Sequence, residues 1–193
     1  MDWIFASLLG YAFGSVPFGL LLTRIAGLGD VRNIGSGNIG ATNVLRTGNK
    51  ALAAATLMLD LAKGFAPVAL AWAWLPDVAG FAALGAILGH CFPVWLKFKG
   101  GKGVATLAGV CFALAWQIGA VYAAVWIGML AIMRFSSLAG MTAAVAAPIA
   151  AFAFGFPGLV PVLTAIAALI LWLHRENIAR LRAGTEPKVG SKK

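Results

Sequence analysis

The sequence predicts an all-α, polytopic integral membrane protein with seven transmembrane helices, its N-terminus periplasmic and its C-terminus cytoplasmic. The first observation is composition. Of 193 residues, 61% are hydrophobic and only 11% are charged, against about 25% charged in an average soluble domain. So few polar side chains cannot coat a soluble domain, which excludes an ordinary soluble enzyme, a disordered chain and a disulfide scaffold. The second observation is placement. The lysines and arginines collect in a few short pieces between long apolar stretches.

The stretches run at 3–23, 51–75, 78–96, 104–133, 137–155 and 159–173. The first is long enough to span, and Asp2 stands where a cleavable signal carries positive charge, so a span is expected there and not a leader. The fourth covers 30 residues and is either one very long helix or two short ones broken near Gln117-Ile118-Gly119. The basic residues decide. They cluster at Arg24, Arg32, Arg46 and Lys50, at Lys97, Lys99 and Lys102, at Arg134, and from Arg175 to Lys193. The turns at Pro76-Asp77, Gly119 and 155–158 carry none. Breaking the fourth stretch puts every loop lysine and arginine on one side, as the positive-inside rule requires. Its halves, about 15 residues and about 22 Å each, fall short of a hydrocarbon core of about 30 Å and need local thinning or shielding by neighbours.

The same rule explains the net charge of +9 without nucleic acid. Basic loops also suit anionic headgroups or a phosphorylated substrate. Cys91 and Cys111 sit in apolar segments without CxxC spacing and read as small core residues. With no room for a soluble domain, 1–193 is expected to be a single transmembrane domain. Its chemistry is confined to the pieces 24–50, 97–103 and 174–193, all cytoplasmic in this topology.

The first piece holds Gly35-Ser36-Gly37-Asn38-Ile39-Gly40-Ala41-Thr42-Asn43 and then Arg46. Gly35, Gly37 and Gly40 match G-x-G-x-x-G, but a polar turn precedes them and not a strand, and the acid twenty residues on is Asp60 inside an apolar helix. That excludes a dinucleotide site. The loop keeps its anion-binding physics. Glycines let successive amides converge, Asn38, Thr42 and Asn43 add donors, and Arg46 adds a planar fork. The alternative is a plain turn between helices. In the second piece, Lys99-Gly100-Gly101-Lys102-Gly103-Val104-Ala105-Thr106, Leu96 stands where a P-loop needs its first glycine. Glycines and lysines at a helix N-terminus still form an anion-binding arrangement, unless the piece is only a flexible membrane anchor. In the third, His174 and Asn177 are one helical turn apart on a helix expected to run on from the last span. They form a site, or they cap a helix leaving the bilayer.

Asp60 and Lys63 lie deep in the second span and, at i, i+3, are expected to pair. The pair is a substrate or proton site, or a structural brace; the brace is the better reading. His90 has no carboxylate near in sequence, so neither a triad nor a metal site is supported, and no cofactor signature occurs. The polar loops outweigh the deep charges. That favours a reaction between phosphorylated compounds at the membrane surface over a transporter of a phosphorylated anion.

These motifs, with Leu59-Asp60-x-x-Lys63-Gly64 and His174-x-x-Asn177-Ile178-x-Arg180-Leu181-x-x-Gly184-x-Glu186, closely resemble the bacterial acyl-phosphate:glycerol-3-phosphate acyltransferases, the PlsY family. The resemblance covers nearly the whole chain. It implies transfer of an acyl group from acyl phosphate to the 1-hydroxyl of glycerol 3-phosphate, giving lysophosphatidic acid and phosphate in the bacterial inner membrane, and a seven-helix fold. It implies catalytic roles for Ser36, Arg46, Lys102, His174 and Asn177. Gly35, Gly37, Asn38, Gly40, Thr42, Asn43, Gly100, Gly101, Gly103 and Thr106 are expected to bind substrate phosphates, and Asp60, Lys63 and Glu186 to be structural. An acyl phosphate is already activated, so direct transfer without an acyl-enzyme is expected. The base is either His174 or a substrate phosphate.

Overall fold

The structure is a computed structural model, and it describes residues 1–190. Helices and single 3₁₀ turns make up its regular structure, and no strand occurs among the described residues. Two compact units divide the chain, Met1–Leu114 and the part from Ala115 onward.

The first unit begins with α1 (Asp2–Gly14) and α2 (Phe18–Ile25), which together form one candidate span broken at Ser15-Val16-Pro17. Proline has no N–H and removes a helical hydrogen bond, so the break falls where the sequence puts it. A short helix, α3 (Ala41–Val44), belongs to the first polar loop. Then come α4 (Lys50–Trp74), α5 (Ala79–Cys91) and α6 (Val104–Leu114). Asn49 starts α4 by accepting the Leu52 N–H at 3.0 Å. α1 packs on α5 and α4 on α6, with small residues at both contacts. Gly10 and Gly14 meet the backbone of Ala82 and Ala86, while Gly85 and Gly89 meet that of Ser7 and Tyr11. Glycines four apart on facing helices let backbones touch, the packing mode of helices in lipid.

The second unit holds α7 (Trp116–Met133), α8 (Ser136–Ala153), α9 (Val160–Leu173) and α10 (Arg175–Arg182), with α7 on α8 and α8 on α9. Among the described residues, five helical segments, the α1–α2 pair counted as one, are long and apolar enough to cross a membrane, or six if the bent α9–α10 pair is one span; α6 is a shorter apolar helix.

Two expectations are corrected. The sequence places the break in 104–133 near Gln117-Ile118-Gly119; it lies at Ala115, which is extended at φ −161°, ψ 128°. The pieces are therefore 11 and 18 residues, not two equal halves. Glycine weakens a helix by only about 1 kcal/mol, and Gly119 is absorbed into α7. The last helix also does not run straight into the third polar piece, since α9 and α10 meet at His174 with a bend of 58°.

Candidate active site

The first loop is built around one asparagine. Asp30 accepts the Arg32 N–H at 3.0 Å and starts a 3₁₀ turn at Val31–Asn33. Its carboxylate also pairs with the Arg32 and Arg24 guanidinium groups at 2.6 and 3.0 Å. The bond from Arg32, joined by Arg24 and opposed only by partial burial, holds the Asp30 carboxyl well below the usual carboxylate range. The chain then turns through Gly35 and Gly37 at φ +55° and +69°, a left-handed backbone that glycine adopts without penalty. Buried Asn43 closes the turn. Its Nδ2 donates to the carbonyls of Val31, Ile34 and Asn38 at 2.7, 3.1 and 2.8 Å. Its Oδ1 accepts the Ser36 N–H at 3.1 Å and Arg46 Nη1 at 3.3 Å. The sequence counts Asn43 among the donors for a bound anion. Its donors are instead taken up inside the loop, so its work is to shape the loop. Ser36, Thr42 and Arg46 are exposed on the result, and Asn38 donates to the Ser36 carbonyl at 3.1 Å. A Cβ at Gly35 would collide with the Arg46 side chain, so the missing side chain lets the guanidinium lie across the turn. Gly40 starts α3 with open space at its Cα.

The second loop uses its glycines differently. Gly100 N–H donates to the Cys91 carbonyl and Gly101 N–H to the His90 carbonyl, both at 3.0 Å. A Cβ at Gly100 would strike the His90 carbonyl, and one at Gly101 the His90 ring. These glycines, expected as phosphate ligands, have spent their amides on the end of α5 and are small because α5 passes against them. Gly103, at φ +81°, opens α6 by accepting the Leu107 N–H at 2.7 Å, with Lys102 just before it. Thr106, also expected near phosphate, is fully buried, and its hydroxyl lies 3.1 Å from His90 Nδ1. The two loops share an apolar footing of Leu20, Val31, Ile39, Val44 and Ala53, on which Leu96 also packs.

Beneath them lies a cluster of polar groups. Lys63 and Asp60, both buried, pair at 2.7 Å, and Lys63 Nζ donates to the Val16 carbonyl at 2.7 Å. The Trp95 indole N–H donates to the Ser15 carbonyl at 2.8 Å. The broken first span thus has its released carbonyls satisfied by α4 and by the turn before the second loop. Tyr11 adds a tie to that turn, donating to the Phe92 carbonyl at 2.8 Å and accepting the Val94 N–H at 3.0 Å.

In the second unit, His174 stands at the α9–α10 bend, 3% exposed. Its Nδ1 is 2.8 Å from the Ile170 carbonyl. A carbonyl only accepts, so Nδ1 carries a proton, and whenever the ring is neutral its acceptor nitrogen is Nε2. Asn177, 8% exposed, donates through Nδ2 to Glu186 Oε1 at 2.7 Å. Ser137 donates to the same oxygen at 2.5 Å and Arg180 Nε to Oε2 at 2.7 Å. The turn at Gly184, φ +68°, brings Glu186 back to α10. It is closed by Thr185 N–H on the Arg180 carbonyl at 2.9 Å and Gly184 N–H on that of Leu181 at 3.2 Å. Burial opposes ionisation of Glu186, but the three hydrogen bonds outweigh it and lower its pKa. Ser137 escapes the sequence motifs because it stands in a largely apolar helix, 49 residues from its partner.

Fold and loops together define an integral membrane protein that carries glycine-rich, arginine- and lysine-bearing loops on apolar helices. A family model for glycerol-3-phosphate acyltransferase matches residues 4–184, and the chain belongs to that family. It is 67% identical over 192 residues to the glycerol-3-phosphate acyltransferase of Erythrobacter litoralis, covering 100% of this chain and 98% of that one. It is 58% identical over 189 residues to that of Mesorhizobium japonicum, covering 98% and 97%. Among solved structures it is similar to PlsY, an integral membrane glycerol 3-phosphate acyltransferase. The glycerol 3-phosphate form matches with a TM-score of 0.93 at 39% identity, covering 98% of this chain and 96% of that one. The lysophosphatidic acid form matches with a TM-score of 0.90 at 38% identity, covering 97% and 95%.

Proposed function

We propose that this chain, acting as one membrane-embedded domain, transfers an acyl group from acyl phosphate to the 1-hydroxyl of glycerol 3-phosphate. The products are lysophosphatidic acid and inorganic phosphate. The carrying observation is the relative with forms named for glycerol 3-phosphate and for lysophosphatidic acid, the acceptor and the product of such a transfer. The acyl-phosphate donor rests on the resemblance of the motifs and on chemistry. A mixed anhydride needs alignment and charge neutralisation more than a nucleophile, and alignment supplies about 7–11 kcal/mol. Direct transfer is supported by the state of Ser36. It sits on an exposed turn, while the histidine of its unit, His90, is held in the interior against Thr106 and Gly101.

Arg46 and Lys102 neutralise phosphate. Gly35, Gly37 and Gly40 let backbone approach it, and Ser36, Asn38 and Thr42 add polar contacts. His174 and Asn177 orient the glycerol hydroxyls, with Nε2 of His174 accepting one of them. The acceptor proton leaves to His174 or to a substrate phosphate, whose second pKa is about 6. Seven spans follow if α6 also crosses, beside the five long helices and the bent pair. The site then faces the cytoplasm of a bacterial inner membrane, with the N-terminus outside.

Purified protein assayed with acyl phosphate, acyl-CoA and acyl carrier protein is expected to turn over with acyl phosphate alone. Turnover with a thioester instead would reject the donor. Labelled acyl phosphate without acceptor should leave no label on denatured protein; stoichiometric label at Ser36 would make the mechanism ping-pong. A cysteine near Asp77 or Gly158 should be labelled from the periplasm and one near Lys99 should not. Periplasmic labelling at Lys99 would overturn the topology.

A further inference from the structure

The C-terminal tail is tied back onto its own unit at several points. Gly184 reverses the chain, Glu186 receives Ser137, Asn177 and Arg180, and Val189 and Arg134 exchange backbone and guanidinium bonds at 2.8 and 3.2 Å. Lys188 lies over the Phe135 ring at 5.6 Å. α10 is only eight residues long, short for a helix to hold itself together in water. A short helix bearing a residue that must meet a substrate needs an external reference, and the tail provides one fixed to the α7–α8 turn.

An asparagine carboxamide has a donor end and an acceptor end, and the two are exchanged by a half-turn. An ionised carboxylate only accepts. We propose that Glu186 is a positioning residue: by taking the Asn177 amino group it fixes the carboxamide so that Oδ1, and not Nδ2, is offered to a hydroxyl of glycerol 3-phosphate. Ser137 and Arg180 hold the carboxylate from two other directions, so Glu186 does not follow Asn177 when the substrate leaves. The inference rests on the proposed acyl transfer.

A double-mutant cycle with steady-state kinetics tests it. Glu186→Ala is expected to raise the KM for glycerol 3-phosphate about tenfold, with the KM for acyl phosphate within about twofold of the parent value. Glu186→Gln keeps an acceptor oxygen for Asn177 and Ser137 and is expected to stay within about threefold of the parent protein. Asn177→Ala is expected to reproduce the KM effect, and adding Glu186→Ala to it should cost little more, since a residue acting through Asn177 has nothing left to act on. Should Glu186→Ala fail to fold, Ser137→Ala, which removes one of the carboxylate's anchors, takes its place in the cycle. Multiplicative losses in the double variant, or equal rises in both KM values, would overturn the role. A parent protein inactive on glycerol 3-phosphate with every donor would instead reject the proposed function.

Discussion

The two glycine-rich loops of the first unit look alike in sequence and are built for different reasons. In the loop at 33–46, Gly35 and Gly37 take positive φ, and Asn43 gathers the resulting turn beneath Ser36 and Arg46. In the loop at 97–103, Gly100 and Gly101 have no positive φ; they are small because His90 and Cys91 pass against them, and their amides are already bonded. The left-handed residues there are Lys97, Phe98 and Gly103. Glycine density alone therefore does not mark a phosphate nest. The first loop spends its glycines on shape at the surface, the second on contact with the interior, and only Lys102 and Gly103 of the second stand at a helix start where an anion can be met.

The largest effect that sharpens this contrast is expected at Asn43. Asn43→Asp replaces three donated bonds with a carboxylate facing three carbonyls, so the loop opens. Activity should fall by more than about 100-fold, while α4–α6 keep their thermal unfolding and the protein still purifies. An active Asn43→Asp would mean that the loop does not need its hub. Next is Arg46→Ala, expected to lose about 10- to 150-fold in kcat/KM, the worth of a charge-assisted hydrogen bond of about 1.5–3 kcal/mol. Arg46→Lys should recover only part of it, because lysine lacks the planar fork. Full recovery would reduce Arg46 to a point charge. Gly100→Ala and Gly101→Ala should lose about 1–3 kcal/mol of stability by overpacking, read as a lower thermal midpoint in detergent, with activity lost in proportion. Inactivation at an unchanged midpoint would instead make the second loop a nest like the first. Smallest is Gly40→Ala. Open space at its Cα keeps the stability change within about 0.5 kcal/mol, and a few-fold loss of activity is expected from crowding a bound phosphate. Unchanged activity would show that no phosphate comes close to position 40.

The pH dependence of the tail follows from Glu186. Its folded pKa is lowered, so its contribution to stability is complete above the ordinary carboxylate value of about 4.3. That contribution is lost as pH falls through the lowered value. The protection of α10 amides, taken relative to intrinsic exchange at each pH, should therefore stay level through the neutral range and fall only in acid. Loss of protection near pH 6 would point to a different group.

Most spans were legible because hydropathy and charge act over long windows. α4, α8 and α9 begin or end within about two residues of their apolar stretches. That the stretch at 104–133 breaks was legible from the basic residues, but its exact place at Ala115 was not, because alanine is a strong helix former and nothing local marks it. The candidate site was half legible. Residue types exposed on a loop, such as Ser36 and Arg46, announce their chemistry, and Asp60 and Lys63 are paired as their spacing requires. Which donors are already spent depends on partners far along the chain. Asn43 reaches back 12 residues to Val31, and Thr106 meets His90 across 16. The Glu186–Ser137 contact spans 49. No short motif contains both members of these pairs.

The interrupted first span bears on how the protein is made. The Ser15 carbonyl is met by Trp95, synthesised 80 residues later, and the Val16 carbonyl, which also takes the Phe18 N–H at 3.1 Å, is met by Lys63, 47 residues later. In hydrocarbon an unpaired carbonyl costs several kcal/mol. A nascent chain that has delivered only its first helix to the bilayer therefore holds an incomplete element, which gains one partner with the second hydrophobic segment and the other after the third. The ribosome must release about a hundred residues before this bend is finished, and a chain truncated before Trp95 should be recognised by membrane quality control as unassembled although its first span has already been inserted.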